Sequence, residues 1–262
     1  MLTDKQIDQA STLLVEHWQQ GRRMARLPEA LQPRTRAEGY AIQARIERHS
    51  VKPVFGWKIA ATSKAGQAHI GVDGPMAGRL LAERVLPDGG STPLGANHMR
   101  VAEVEFAFRM GRDLVPRPAP YSTDEVLAAV DTLHPAIEIP DSRYDDFVTV
   151  GAPHLIADNA CAHLVVVGAP AKTDWRRLDL AAHKGRGRNE GKFEREGSGA
   201  NVLGDPRIAL AWLANELRGL GLTLSRGQTV ITGTCVKPME LEPGDHILAD
   251  LGSLGGLSIR FT

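Results

Sequence analysis

The stretch RVAEVEFAFRM, Arg100 to Met110, alternates in character with almost no fault, and it constrains the fold more than any other segment. In a β-strand, successive side chains point to opposite faces. Ala102, Val104, Phe106, Phe108 and Met110 then form one apolar face, and Val101, Glu103, Glu105, Ala107 and Arg109 form the other. The apolar face must pack on a core. On the other face Glu103 and Glu105 start roughly 6.5 Å apart at the backbone, so their like charges need either solvent or a counter-charge.

A third carboxylate belongs with these two. In LHPAIEIP, Leu133 to Pro140, Glu138 interrupts an apolar run between Ile137 and Ile139. A strand there buries both isoleucines and turns Glu138 to the side of Ala136. Ionised carboxylates are costly to bury unpaired. Three that converge need a positive charge among them, and a hard divalent cation, Mg²⁺ or Mn²⁺, suits an all-oxygen site. The residues alone leave a second reading open, in which Glu-x-Glu is a solvated strand face partnered by Arg109 or another basic side chain.

The rest of the chain reads as an α+β arrangement. Capping boxes at Thr3 to Gln6 and Thr35 to Glu38 open two helices, and residues 1–52 are expected to form an N-terminal helical cap. From about Val54 the texture changes to short apolar runs separated by Gly, Pro and Asp, giving a β-rich core over residues 53–262. Expected strands are 54–61, 100–110, 133–139, 160–167, 180–184, 192–196, 228–232, 246–251 and 257–261. A third capping box at Ser122 to Glu125 and an Asp205-Pro206 helix start introduce further helices. Strands do not alternate regularly with long helices, so a mixed, mainly antiparallel sheet is expected rather than a doubly wound parallel one. The polar segment Gly185 to Gly199 reads as an exposed hairpin.

Other candidate residues are fewer. Lys58 interrupts the strand in FGWKIAATS, so its ammonium lies at an edge, snorkels, or is desolvated. Beside carboxylates it could orient an anionic substrate or move protons. Asp73 lies in IGVDGP, where a turn-forming role is the plain alternative. His69 and His134 lack a partner histidine at a metal-binding offset. No phosphate-binding or dinucleotide glycine motif is present. Cys161 and Cys235 have no metal spacing and read as free thiols of a reduced compartment.

Charge narrows the partners. Lys plus Arg and Asp plus Glu number 31 each, which argues against nucleic acid. No apolar run approaches the ~18 residues of a membrane span, and MLTDKQID does not read as a signal peptide. A cytoplasmic protein acting on a small molecule is expected.

Six segments in chain order carry a resemblance: GWKIAATS, GVDGP, AEVEFAF, PAIEIPDSR, ADNA and PGDHILADLGSLG. Together they resemble the 2-keto-4-pentenoate hydratase group of the fumarylacetoacetate hydrolase superfamily, and the closely related 4-oxalocrotonate decarboxylases, over nearly the whole chain. The resemblance implies a β-roll core with N-terminal helices packed on it, and a homo-oligomer. It also implies a Mg²⁺ or Mn²⁺ site at Glu103, Glu105 and Glu138, with Lys58 as the active-site lysine. The superfamily's hydrolases generally have aspartate as the third ligand, so Glu138 favours hydratase or decarboxylase. Asp73 matches the acidic position of the hydratases' V-D-x-P, where decarboxylases tend to show lysine. The implied reaction adds water to a 2-hydroxy-2,4-dienoate, giving a 4-hydroxy-2-oxo acid in the catabolism of aromatic ring-cleavage products. Decarboxylation of a 2-oxo acid, or a non-catalytic partner subunit, are the alternatives. Two departures bear on the substrate: Ala60 replaces a usual glycine, and Gly233-Thr-Cys-Val-Lys-Pro238 replaces a Gly-Ser-Leu-Thr-like loop.

Overall fold

The structure, a computed structural model, describes residues 1–262. Its helices are α1 (Asp4–Gln20), α2 (Arg36–Ala44), α3 (Lys64–His69), α4 (Thr123–Ala128), α5 (Ala152–Ala157) and α6 (Pro206–Gly219). Its strands are β1 (Val54–Ala60), β2 (Met76–Leu81), β3 (Val85–Leu86), β4 (Gly90–Thr92), β5 (Val101–Met110), β6 (Val130–Ile139) and β7 (Leu164–Val167). They continue with β8 (Lys184–Asn189), β9 (Phe193–Ser198), β10 (Thr229–Thr234), β11 (Met239–Glu240), β12 (His246–Asp250) and β13 (Gly256–Phe261).

Local chemistry sets the helix starts. Thr3 completes a capping box with Gln6, and α1 then buries Ile7, Ala10, Leu14 and Trp18 on one face. Thr35 caps α2, but Glu38 turns its carboxylate to the backbone N–H groups of Leu2 and Arg34, both at 2.8 Å, and so ties the N-terminus to the second helix. α2 lies directly on α5. A Cβ at Gly39 would stand 2.5 Å from the Pro153 carbonyl oxygen, so this approach requires glycine.

Two sheets form the core. The larger runs β2-β1-β10-β5-β6-β7-β3, with β11 also on β5, and the smaller runs β4-β13-β12-β8-β9. Eight of eleven strand pairings are antiparallel, which makes the sheets mixed and mainly antiparallel as expected. β5 is central, and both its faces are used. Val104 meets the smaller sheet at Gly187. On the other face Ala107, with Ala136, Ile231, Val165 and Leu80, forms a separate small apolar cluster inside the curl of the larger sheet. The glutamates of β5 share this inward face, which is why they are withdrawn from water.

Three sequence expectations need correction. The expected strand 180–184 is mostly turn, and the strand begins where that segment ends, at Lys184. The segment 185–199 is a hairpin, but β8 is an interior strand of the smaller sheet rather than an exposed arm. Its inward positions are Gly185, Gly187 and Asn189, and Cβ atoms added at the two glycines would meet Cys235 Sγ at 2.7 Å and Met239 Sδ at 2.2 Å. A buried face of two glycines and an asparagine leaves no apolar alternation to read. Finally, β2 was not expected, because Gly78 and Arg79 break its apolar run although all six of its residues are buried.

Candidate active site

β5 and β6 bring the three carboxylates together by register. Glu103 stands directly opposite Glu138, and Glu105 stands opposite Ala136, which leaves room beside it. One oxygen from each glutamate falls within 4.8 Å of the others. Along β5, β10 pairs with residues 107–109 and, past a bulge, sets Thr234 opposite Glu105, while β11 pairs with residues 101–102. Between them the chain leaves the ladder after Thr234, beside the glutamates. Glu105 Oε2 accepts a 2.6 Å hydrogen bond from Gly233 N–H. Gly233 has φ +99°, and a Cβ there would lie 2.0 Å from Thr62 Oγ1, so only glycine can present this donor.

Lys58 reaches the cluster from β1. In a flat sheet β1 and β6 would be three strand spacings apart, roughly 14 Å, so it is the curl of the sheet that lets the two side chains meet. Lys58 is buried, its Nζ lies 3.0 Å from Glu138 Oε1, and it donates to the Ala160 carbonyl at 3.0 Å. Its cross-strand neighbour is Gly78. A Cβ at Gly78 would press on Lys58 Cγ and Cδ at 3.0 and 3.1 Å and on the Asn159 carbonyl oxygen at 2.4 Å.

The Ala160 carbonyl is aimed by unusual backbone. Asn159, Ala160 and Cys161 have φ of 54°, 50° and 61°, three consecutive left-handed residues without a glycine. Each such residue is strained, at a cost of order 1 kcal/mol or more. The Asn159 side chain holds the turn against β2, accepting from Arg79 N–H at 2.7 Å and donating to Arg79 C=O at 2.8 Å. Asp158, one residue earlier, is locked to Arg143. In the sequence, this ADNA segment stands out only through its family resemblance. Its signal is Asn159, the residue type besides glycine that best tolerates left-handed backbone.

Electrostatically the cluster is incomplete. Three carboxylates and one ammonium leave two negative charges. Burial first, then Glu138, pushes Glu103 up to about 7, with Lys58 opposing. Burial and the neighbouring glutamates push Glu105 well above the carboxylate range, and burial also raises Glu138 against the pull of Lys58. Burial disfavours the charged form of Lys58, but Glu138, Glu103 and Glu105 outweigh it and hold the ammonium above its usual value. Glu105 Oε1 and both oxygens of Glu138 are buried without a hydrogen bond; Lys58 Nζ sits beside Oε1 as a charge, off the direction for a directed bond. Unpartnered buried oxygens, a deficit of two positive charges and an all-oxygen donor set together fit one hard divalent cation.

The cluster opens into a cavity of about 880 Å³, with Lys58 and Glu103 on its inner wall and Met76, Leu155 and Val236 among its apolar lining. Glu103 keeps an edge on this space, whereas Glu105 and Glu138 lie behind it, fully buried. Arg109 is exposed further along β5 and pairs with none of the glutamates. Asp73 is not brought into the cluster: its carboxylate is exposed and lies 3.4 Å from Arg36 Nη1. The nearby Ile70 and His69 do line the cavity. His134 is a satisfied core histidine, its ring nitrogens 2.8 Å from Thr132 Oγ1 and 2.9 Å from the Gly168 carbonyl. Both cysteines are free and buried, and burial pushes each thiol up to about 12. No helix is long and apolar enough to cross a membrane.

No protein-family model matches the chain. Among curated proteins it is 30% identical over 263 residues to 2-keto-4-pentenoate hydratase of Paraburkholderia xenovorans (strain LB400), covering 99% of this chain and 96% of the relative. It is 34% identical over 224 residues to 4-oxalocrotonate decarboxylase of a Pseudomonas species, covering 84% and 83%. Among solved structures, 4-oxalocrotonate decarboxylase from Pseudomonas putida G7, complexed with magnesium and adipate, superposes with a TM-score of 0.90 at 27% identity, over 100% of this chain and 99% of that one.

Proposed function

The chain belongs to the 2-keto-4-pentenoate hydratase and 4-oxalocrotonate decarboxylase group of the fumarylacetoacetate hydrolase superfamily, and we propose that it is a metal-dependent hydro-lyase. It adds water to a 2-hydroxy-2,4-dienoate and releases a 4-hydroxy-2-oxo acid. The observation that carries this reading is the convergence of three buried glutamates and one buried lysine at the inner end of a cavity.

Glu103, Glu105 and Glu138 would hold the cation, Mg²⁺ or Mn²⁺. When bound, it supplies Lewis-acid polarisation of the substrate's 2-keto oxygen. In the metal-free cluster the carboxylates around Lys58 favour its charged form. An ammonium has three donors. One is spent on the Ala160 carbonyl and one faces Glu138, which leaves the third for the substrate's carboxylate or its developing enolate oxygen. In that form Lys58 is placed to orient the substrate with its remaining donor. The apolar walls restrict water around this charge and so strengthen its hold. Proton transfer during ketonisation, or activation of the water that adds at C4, is assigned to Asp73. That role requires the Gly71–Pro75 turn to close from its exposed position over the cavity wall it adjoins.

A second reading is decarboxylation of a 2-oxo acid, favoured by the TM-score of 0.90 to a decarboxylase. Both reactions pass through an enolate, and both use the same Lys58 and glutamates. The test is chelator-stripped protein with 2-hydroxypenta-2,4-dienoate, followed by ultraviolet absorbance with and without Mg²⁺. Metal-dependent decay to a product heavier by one water is expected. Loss of carbon dioxide from 2-oxo-hex-3-enedioate, with no hydration, would reassign the protein to the second reading.

A further inference from the structure

The cavity has a second charged feature, remote in sequence from the glutamates. The segment between β10 and β11 lays Thr234, Val236, Lys237 and Pro238 along the same space that Lys58 and Glu103 face from within. Lys237 is exposed there, and it takes part in none of the ion pairs around it. Glu240, the nearest acidic residue in sequence, lines the same cavity and feels the Lys237 charge, but its ion pair is with Arg195, at 2.7 Å.

The backbone beneath Lys237 is fixed on both sides. Asn201 Nδ2 donates to the Cys235 carbonyl at 2.8 Å, Thr234 Oγ1 donates to the Val236 carbonyl at 2.5 Å, and Arg195 donates to the Pro238 carbonyl. Cys235 N–H is also held by the Val104 carbonyl, at 2.8 Å. The base of the side chain is thus positioned while its ammonium is left free. At the inner end, a dication would balance the glutamates and Lys58, and the head of an acid would add its charge there. A second carboxylate further along the cavity would be stranded against the apolar lining unless a cation met it.

We propose that Lys237 is a specificity residue that receives a second carboxylate, so that the preferred substrate is a dioate carrying an acid group at the end remote from the 2-hydroxy function. This rests on the site acting on 2-hydroxydienoates. A lysine ammonium is a compact point charge on a flexible stem, and it tolerates dioates of slightly different length.

The test uses a matched pair, 2-hydroxyhepta-2,4-diene-1,7-dioate and 2-hydroxyhexa-2,4-dienoate, which differ by one carboxylate on C6. Wild-type protein with Mg²⁺ should favour the dioate in kcat/KM by at least about fivefold, the scale of one solvent-screened ion pair. The dioate-to-monoacid ratio should collapse toward unity in Lys237→Met, invert in Lys237→Glu, and return in Lys237→Arg. Calorimetric titration of the Mg²⁺-loaded protein with adipate and with hexanoate reads the same preference without turnover. Tighter adipate binding that is lost in Lys237→Met supports the inference even if neither dienoate reacts, in which case the reaction assignment fails alone. Equal binding of the two acids, or a ratio that Lys237→Met leaves unchanged, overturns it even if both dienoates are hydrated.

Discussion

Arg143 with Asp158, and Lys58 with Glu103, Glu105 and Glu138, are both clusters of opposite charge withdrawn from water, yet only the first is complete. Asp158 accepts from Ser142 Oγ at 2.7 Å, from Arg143 N–H at 3.0 Å and from the Arg143 guanidinium. Arg143 donates its remaining groups to the carbonyls of Asp141, Ala162 and Asp158. One cation meets one anion, and the donors find acceptors. In the second cluster one cation meets three anions, and three carboxylate oxygens find no hydrogen bond. A buried charge cluster that balances itself serves architecture. One that does not is shaped for a charge from outside the chain.

The sharpest way to break this contrast is to exchange the outcomes of mutation. Arg143→Met leaves the Asp158 carboxylate buried and unpaired, and it should lower unfolding free energy in urea by about 3–5 kcal/mol. Glu105→Gln should behave in the opposite manner. Glu105 is already driven toward its neutral form, which glutamine imitates, so metal-free stability should change by less than about 0.5 kcal/mol. Its Mg²⁺ affinity, read by calorimetry, should fall by about 100-fold or more. Equal destabilisation by the two substitutions would erase the distinction.

Gly78→Ala sharpens the contrast from the side of Lys58. Its Cβ would strike the Lys58 stem and the Asn159 carbonyl, so it should cost about 1–3 kcal/mol by denaturation and also lower kcat. Asp73→Asn tests the remaining assignment. If the turn closes, kcat should fall by about tenfold or more with Mg²⁺ affinity unchanged. An unchanged kcat would remove Asp73 from the reaction.

The smallest expected effect is in pH. Glu103 has its pKa raised from 4.5 to about 7 on folding. The folded metal-free protein therefore binds more protons than the unfolded chain between these values, and this group's contribution to stability falls as pH rises from about 4.5 and levels off above about 7. A dication relieves the same repulsion without protons, so the rise in Tm on adding Mg²⁺ should grow by a few degrees between pH 5.5 and 8. A shift that shrinks with pH would contradict the electrostatic account.

The half of the site that lies on regular strands was legible in the sequence. Period-two alternation placed Glu103 and Glu105 on one face, and the interruption of an apolar run marked Glu138 and Lys58. What alternation could not supply was curvature, since only the curl of the sheet brings β1 to β6 and buries a face that a flat sheet would leave solvated. Glycine hid two further features. β8 is interior because Gly185 and Gly187 have no side chains, and β2 runs past Lys58 because Gly78 has none. The left-handed turn at Asn159–Cys161 takes the first residues of the expected strand 160–167, which begins only at Leu164, because strained backbone held by tertiary contacts has no periodicity. Asp73 shows the reverse case: its sequence context resembles the acidic position of the hydratases' V-D-x-P, while its side chain stands in solvent beside Arg36.

The measurement that bears most directly on the incomplete cluster is an anomalous difference map from crystals of the chelator-stripped protein soaked in Mn²⁺. One strong peak bounded by Glu103, Glu105 and Glu138, with Lys58 still on the Ala160 carbonyl and no peak in a Glu105→Gln crystal, is the predicted result. No peak there, or an equal peak in the variant, would contradict the claim that these glutamates are a metal site.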